Sequence, residues 1–538
     1  MYGLRGIERA REARQRLRRG AAIAIALGAL SIAGGCTSLR QWWRNGFKVG
    51  PNAVTPCAPV SAGWVDAGDP RISGWPAEGC YWWTTFNDAS LNSLVDAAYR
   101  QNLDLRTAGA RILEARAQRN VAAGNLFPQR QTALAAYAHG QLPQNLGLPL
   151  PGTFNVWTDG FNASWEIDFW GRYRRAVEAA DGDLGASVER YGETLVMLLS
   201  EVATSYVQMR TYEQRLEYAR RNVIIQRGTT KIAEDRYRSG RSSEVDVRQA
   251  RSILAQTEAS IPPLEAGRRQ AANQLCILLG TPVNDLAAQL PPAAIPRAPI
   301  ELAVGIPADL LRRRPDVRRA AREAGAQGAR IGVAEADMYP RLAINGFIGY
   351  AANDLSDLFN SKSFVGFIIP TLQWNVLNYG RILNNVRAAD ARYQQSLLQY
   401  QQTVLTAGRE VEDALVGFLQ SQQQAARLQD AVTEAERFVE LVDLQYQAGV
   451  VDFNRVFNAQ STLVTVQDQL ATARGNIALN LIQTYRALGG GWECFACGPN
   501  SQQPMPVAPV VPPLAPPVVP AEVVVPVQPP PSAASNNG

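Results

Sequence analysis

Histidine is almost missing from this chain: His139 is the single one in 538 residues. That removes His-clustered metal centres and counts against a His-based nucleophilic triad. No glycine-rich phosphate loop follows a strand pattern, and spacing alone assigns no carboxylate pair an acid–base role. Catalysis therefore has little support, and no cofactor or metal is expected. A charge excess is missing too, once its location is read. The formal net charge of +5 lies within residues 1–35, which hold seven arginines and two glutamates. The remainder is neutral and exerts no global pull on nucleic acid. Proline is absent from residues 171–239, where helix formers dominate. At ~1.5 Å per residue that run would extend on the order of 100 Å, far beyond an ordinary globular helix, and must lie in a coiled coil or helical barrel.

The N-terminus has the parts of an export signal. A basic region, Arg5 to Arg19, precedes a short apolar one, AAIAIALGALSIA at 21–33, which is too short to span a membrane as a helix. AGGC, Ala33–Cys36, then resembles the lipobox of bacterial lipoproteins, with Ala33 in place of the usual leucine. The resemblance implies that Cys36 is acylated and becomes the new N-terminus. Thr37 follows it, where an aspartate would resemble an inner-membrane retention signal, so outer-membrane delivery is favoured. Export places the remaining thiols in an oxidising compartment. Structural disulfides are expected, with Cys57 paired to Cys80 and Cys494 to Cys497 the leading arrangement of the three that four thiols allow. Cys276 sits in an apolar helical run and reads as a buried free thiol.

What dominates the rest is a repeat. RYRSGRSSEVDVRQARS at 236–252 returns as QYQAGVVDFNRVFNAQS at 445–461: Tyr237, Gly240, Val247, Ala250, Ser252 and Leu254 recur as Tyr446, Gly449, Val456, Ala459, Ser461 and Leu463, each 209 positions on. Trp165 and Trp374 keep that offset, as do Gly171-Arg172 and Gly380-Arg381; LFP and MYP recur 212 apart. Two copies of one unit are expected. In the first, a helical stretch at 91–124 leads to a strand near 130–139 and to FNASWEIDF, 161–169, whose apolar residues alternate with polar ones as in a strand with one greasy face. The long helix of 171–239 follows, ended by Gly240. A return helix over 243–279 carries Pro262–Pro263, which predict a kink or break. The second copy has helix 315–336, strands near 342–350 and 363–376, and a long helix 380–448 ended by Gly449.

The organisation is therefore a signal segment 1–35, an ordered but irregular N-terminal segment 36–88 and a first repeat 89–280. A Pro-rich linker 281–306, a second repeat 307–489 and a Pro/Val-rich extended tail 490–538 complete it. The fold class is mainly α with a membrane β portion. One chain offers four amphipathic strands, and four cannot close a barrel, whose smallest membrane forms use about eight. An open sheet in lipid would leave unpaired backbone groups. The strands must pair with other chains, so a homo-oligomer follows; the number of copies does not.

DLLRRRPDV (309–317), WEIDFWGR (165–172), the paired turns YRSG and YQAG, and LLG closing the first repeat are similar to the TolC-type outer membrane factor family, in its lipoprotein branch serving RND efflux pumps. The resemblance covers about 85–490. It implies a homotrimer with a 12-stranded barrel in the outer membrane and a periplasmic α-helical barrel. Its partners would be a periplasmic adaptor and an inner-membrane RND transporter. The chain would be the lipid-anchored exit duct of that tripartite pump for small molecules such as drugs or toxic compounds. A type I protein secretion channel of the same architecture is the alternative, opposed by RRRPDV. A purely structural periplasmic coiled coil is opposed by the amphipathic strands.

The resemblance also makes the two turns the periplasmic mouth, where the duct is gated and the adaptor docks. The tip residues are then Tyr237, Gly240, Asp246, Tyr446, Gly449, Asp452, Arg455 and Asn458. Asp246 matches the family's acidic position in the first repeat. Arg455 and Asn458 depart from it in the second, which counts against an acidic cation-binding ring. Asp246 and Arg455, with Asp452 and Tyr446, are expected to form links that hold the mouth narrow. RRRPDV reads as structural: Pro315 and Asp316 suit a first helical turn, and the arginines before it need partners. RYRR at 172–175 is expected at the barrel–helix junction, facing solvent or lipid headgroups.

Overall fold

The computed structural model describes residues 37–52, 56–73, 80–141, 153–305, 307–308 and 313–493. The signal segment, Cys36, Cys494, Cys497 and the Pro/Val tail lie outside the described residues.

Each repeat lays down the same series. A short leader helix α1 (Leu39–Arg44) precedes the first copy. That copy holds α2 (Ala89–Gln101), α3 (Leu103–Gly124), strands β2 (Arg130–Gln141) and β3 (Thr153–Ile167), the long α4 (Arg172–Arg238) and the return helix α5 (Glu244–Leu278). The linker carries α6 (Leu286–Gln289) and a two-residue strand β4 (Leu302–Ala303), which pairs in parallel with β1 (Ile72–Ser73) of the leader. The second copy holds α7 (Pro315–Ala336), β5 (Arg341–Ala352), β6 (Phe364–Gln373), the long α8 (Arg381–Gln447) and α9 (Phe453–Ala487). Both long helices have 67 residues, about 100 Å at ~1.5 Å per residue.

The ends of these helices follow from the 209-residue offset. Gly171 and Gly380 sit in the left-handed region at φ 82° and 78° just before the long helices. Gly240, Gly449, Gly280 and Gly489 take φ of 71°, 79°, 68° and 72° just after helix ends, where a side chain would be strained. In each, the following N–H bonds back five residues to close the last turn, as Arg241 N to Arg236 O at 2.8 Å and Val450 N to Gln445 O at 2.9 Å. The expected single helix over 91–124 is instead two. Asn102 accepts from Leu105 N at 2.8 Å and donates to Leu278 O at 2.9 Å, so one side chain starts α3 and ties it to the end of α5. The predicted break at Pro262–Pro263 does not occur: α5 runs through both. The prolines are exposed, so the carbonyls they leave unbonded, those of Glu258 and Ala259, turn toward solvent. Buried Leu264 then holds the far side onto Leu216 and Ala219 of α4.

The four long strands form one antiparallel sheet in the order β2-β3-β5-β6, which leaves β2 and β6 as free edges. Phe161 opposes Ile348, and Ile348 opposes Gly366; Trp165, Ile344 and Pro370 form another row. The apolar members of this face are outside. Phe161 is 66% exposed, Ile368 77% and Leu372 66%, whereas Asn162, Ser164 and Glu166 are half-buried. β3 begins at Thr153, eight residues before the alternation that marks it in sequence, because TFNVWTDG mixes both kinds of residue on each face.

The repeat also fixes how sheet meets helices. Trp165 Nε1 donates to Leu126 O at 3.2 Å, and Trp374 Nε1 to Met338 O at 3.0 Å: each indole latches its strand to the carbonyl two residues before the proline of LFP or MYP. The main core lies farther along the helices, where Leu199, Val202 and Tyr206 of α4 pack against Leu415 and Phe418 of α8 and Leu481 of α9. The leader's Trp82 stacks on Tyr485 there, with ring centroids 5.3 Å apart.

Two further expectations are overturned. Cys57 is a free, exposed thiol and Cys80 is disulfide-bonded, so the Cys57–Cys80 pair does not form. The leader carries Cys57 along α8, where Gln401 donates to its carbonyl, instead of returning it to Cys80. RYRR does not face outward as a group. Arg175 is only 1% exposed: Nε donates to Val49 O at 2.9 Å, and Nη2 to Gly50 O at 2.9 Å and Asn52 Oδ1 at 3.0 Å. Arg174 grips Gly46 O and Phe47 O at 2.7 and 2.8 Å, so the cluster clamps the leader strap onto the sheet–helix junction. Cys276 is free and buried, as expected.

Candidate functional site: the paired hairpin ends and the apolar sheet

The ends of the two helical hairpins share one apolar core. Ala233 of α4, Ala250 of α5, Val439, Val442 and Tyr446 of α8, and Phe453, Val456 and Leu463 of α9 pack together. Tyr446 is 1% exposed and meets Phe453 edge to face at 5.5 Å. Its counterpart Tyr237 is 46% exposed, so the repeat is broken here by tertiary packing. Burial first, and then the carboxylate of Asp246, push the Tyr446 phenol up. Ser243 Oγ caps α5 at Asp246 N, and Asp452, at the equivalent position of the second copy, caps α9 at Arg455 N at 3.3 Å. Asp452 thus has a helix-starting role.

Gly240 and Gly449 make the two turns, and Arg455 and Asn458 are exposed on the first turns of α9. Among the described residues, neither Asp246 nor Arg455 makes an ion pair within the protomer. Asp246 is held by Ser243 at the start of α5, and Arg455 is exposed. Arg236 is the residue that spacing did not single out. From the last turn of α4 its Nη1 donates to Tyr446 O and, at 3.4 Å, to Gln447 O, and its guanidinium lies 4.8 Å over the Tyr446 ring. A cation on the last carbonyls of α8 is favourable. Only the fold brings the two turns together, so no local pattern marked it.

Within RRRPDV, Arg314 is structural; Arg313 is exposed, and Arg312 lies outside the described residues. Arg314 is 7% exposed; it holds Asp316 through two bonds of 3.0 and 2.7 Å, reaches Glu410 at 2.8 Å and donates to Ala487 O at 2.7 Å. It joins α7, α8 and the end of α9.

No described helix is long and apolar enough to cross a membrane; the sheet is the element that presents an apolar face. From Phe364 to Leu372 on β6 that face runs eight residues, about 27 Å along the strand and about 21 Å at a ~40° tilt. Outer-membrane barrels carry an apolar band of about 25 Å bounded by aromatics. The outer membrane efflux protein family model matches residues 94–281 and 306–490, the two repeats. The chain belongs to this family. Its members are TolC-like outer membrane efflux channels rather than enzymes. Nodulation protein T of Rhizobium leguminosarum bv. trifolii is 29% identical over 458 residues, 84% of this chain and 96% of its own length. The pyoverdine export outer membrane protein OpmQ of Pseudomonas aeruginosa is 30% identical over 445 residues, 81% and 90% respectively. The solved structure of the outer-membrane channel OprN superposes with a TM-score of 0.79 at 30% identity, covering 83% of this chain and 99% of its own.

Proposed function

We propose that three copies of this efflux channel close a 12-stranded barrel and form the exit duct of a tripartite RND-type pump that carries small molecules across the outer membrane. The observation that carries the reading is the four-stranded sheet with an outward apolar face and two unpaired edges. Pairing β6 of one copy with β2 of the next removes both edges. Twelve strands at ~40° tilt enclose a barrel about 24 Å across, backbone to backbone. Small-molecule cargo is supported by the pyoverdine export relative, whose name states what it carries. Heat-modifiable migration of a trimer in outer-membrane extracts is the expected result; a monomer without heat modification would end the barrel reading.

The hairpin ends are then the periplasmic mouth, with Tyr237, Gly240, Asp246, Tyr446, Gly449, Asp452, Arg455 and Asn458 at the gate and adaptor-docking tips. Arg455, exposed and without an ion pair among the described residues, would meet a neighbouring copy. Asp246→Ala with Arg455→Ala should raise single-channel conductance, and unchanged conductance would remove the gate assignment. A photo-reactive residue at Val450, 74% exposed at the tip, should capture a periplasmic adaptor of an RND pump. Cys36 is the proposed lipid anchor. The strap clamped by Arg174 and Arg175 supports it, since it brings Thr37 to the sheet–helix junction, where its Oγ1 accepts from Gly50 N at 3.0 Å. Mass spectrometry of the N-terminal peptide should find an acylated cysteine.

A further inference from the structure

Polar side chains recur at heptad spacing where α4 crosses the second hairpin, buried on α4 and α9 and exposed to half-buried on α8. They are Asn222 and Thr229 on α4, Gln467 and Gln460 on α9, and Glu436 and Asp443 on α8, each pair seven residues apart. They form two rungs. In the first, Asn222 Nδ2 donates to Gln467 Oε1 at 2.8 Å and Gln467 Nε2 donates to Glu436 Oε1 at 2.9 Å. In the second, Gln460 Nε2 donates to Thr229 Oγ1 at 2.9 Å, and Gln460 also neighbours Asp443. The first rung is closed and the second is not. Asp443 Oδ1, Gln460 Oε1 and both polar atoms of Gln226, which lies between the rungs on α4, are buried with no hydrogen-bond partner among the described residues. Gln226 and Gln460 are 1% and 2% exposed. Such orphaned groups weaken a packed seam.

The tandem repeat supplies an internal comparison. Moving back 209 positions converts Asp443 and Gln460 into Glu234 and Arg251. These form a 2.7 Å ion pair at the surface, and Arg251 holds the Glu234 carboxyl below its ordinary range. The first hairpin thus gives its carboxylate an arginine and water. The second gives the equivalent half-buried carboxylate a neutral glutamine and leaves its Oδ1 buried without a hydrogen-bond partner among the described residues.

We propose that Asp443 is a proton-binding site that sets how firmly α4 is held against the second hairpin: neutral Asp443 favours the packed seam and ionised Asp443 loosens it. Burial pushes the carboxyl up to about 6, and Gln460 offsets only part of that. Among the described residues, no cation offsets this. The packed residues Phe453, Val456 and Leu463 of α9, Ala233 of α4 and Ala250 of α5 carry no charge. Arg236 of α4 is committed to the carbonyls of Tyr446 and Gln447, and Asp246 of α5 acts on the Tyr446 phenol. On its own helix, Glu440 pairs with Arg437 and Glu436 accepts from Gln467. The packed-state pKa lies above that of an exposed aspartate, 3.8, so packing binds a proton. The stabilisation is complete below about pH 4, is lost as pH rises to about 6, and is level above. A difference of about two units corresponds to roughly a hundredfold in the opening equilibrium.

The test is hydrogen exchange on the purified full-length protein between pH 4 and pH 7.5, corrected for intrinsic exchange rates, in peptides spanning 222–236 and 436–446. Opening should rise toward a hundredfold with pH in the wild type. It should be flat in Asp443→Asn, and flat in Gln460→Arg, which recreates the Glu234–Arg251 pair. A wild type without the rise, or an Asp443→Asn protein that keeps it, overturns the proposal. Its consequence for gating rests on reading the hairpin ends as the mouth, and bilayer conductance separates the two. A seam that titrates with constant conductance supports the Asp443 site and removes the mouth reading.

Discussion

Replacing Arg175 with methionine keeps most of the side-chain volume and deletes the fork that grips the leader strap. Three bonds to the strap are lost: Nε to Val49 O, and Nη2 to Gly50 O and Asn52 Oδ1. A hydrogen bond to a charged group is worth about 1.5–3 kcal/mol, and these are not additive. The strap keeps Val49 N bonded to Trp170 O at 3.0 Å, the Lys48–Glu178 ion pair and the Arg174 contacts. A net loss of about 3 kcal/mol in the free energy of local opening is therefore expected, somewhat over a hundredfold. Hydrogen exchange of residues 46–52 reads it directly. Arg175→Lys should recover little, because a point charge cannot serve three acceptors in a plane. Glu178 adds a pH signature. Burial raises its carboxyl, but Lys48 and Arg175 together outweigh this and hold it below the ordinary 4.5. Its contribution is present above pH 4.5 and is lost as pH falls through the lowered value. Strap protection should be level at neutral pH and drop in acid in the wild type. Unchanged protection in Arg175→Met would refute the clamp.

Gly449→Ala forces a side chain into φ 79° and meets Arg236 Nη2 at 3.4 Å, whereas Gly240→Ala meets open space at φ 71°. Both should cost about 1–2 kcal/mol from backbone strain, with Gly449 the worse, as read by exchange at the two turns. Tyr446→Phe should be nearly neutral, because the buried hydroxyl has no hydrogen-bond partner among the described residues; Tyr446→Ala should cost about 3–5 kcal/mol of local stability. Arg314→Ala strands Asp316, Glu410 and the Ala487 carbonyl and should cost about 3 kcal/mol, the low end for a broken buried pair because Glu410 is 42% exposed. A denaturant series followed by tryptophan fluorescence would show it. Ile368→Arg on the outer face should cost about 2–4 kcal/mol and lower the yield of heat-modifiable trimer, while Asn162→Arg on the other face should assemble.

The sequence carried most of the element order, because both repeats are written in strong local signals. Glycines beyond helix ends and long proline-free helical runs placed α4 and α8 within a residue of their limits. Alternation located the half of β3 that has one apolar face and missed the half that mixes them. Pro262–Pro263 misled: local chemistry argues for a break, yet both sit on the exposed side of a helix anchored on the other by Leu264. The tip glycines were equally legible, but Arg236 was not.

What the sequence determined alone is therefore the list of elements, their duplication and the need for other chains to complete the sheet. These depend on periodicity, backbone permission at glycine and counting strands, all of which are local or additive. The tertiary structure decided which of two equivalent residues is buried. Tyr446 is packed beneath its neighbours, while Tyr237 of the same repeat position remains exposed. It also decided that Cys57 stays free and that two arginines of RYRR clamp the leader. Burial and long-range pairing arise from which surfaces meet, and a repeat that writes the same pattern twice cannot say which copy will be covered.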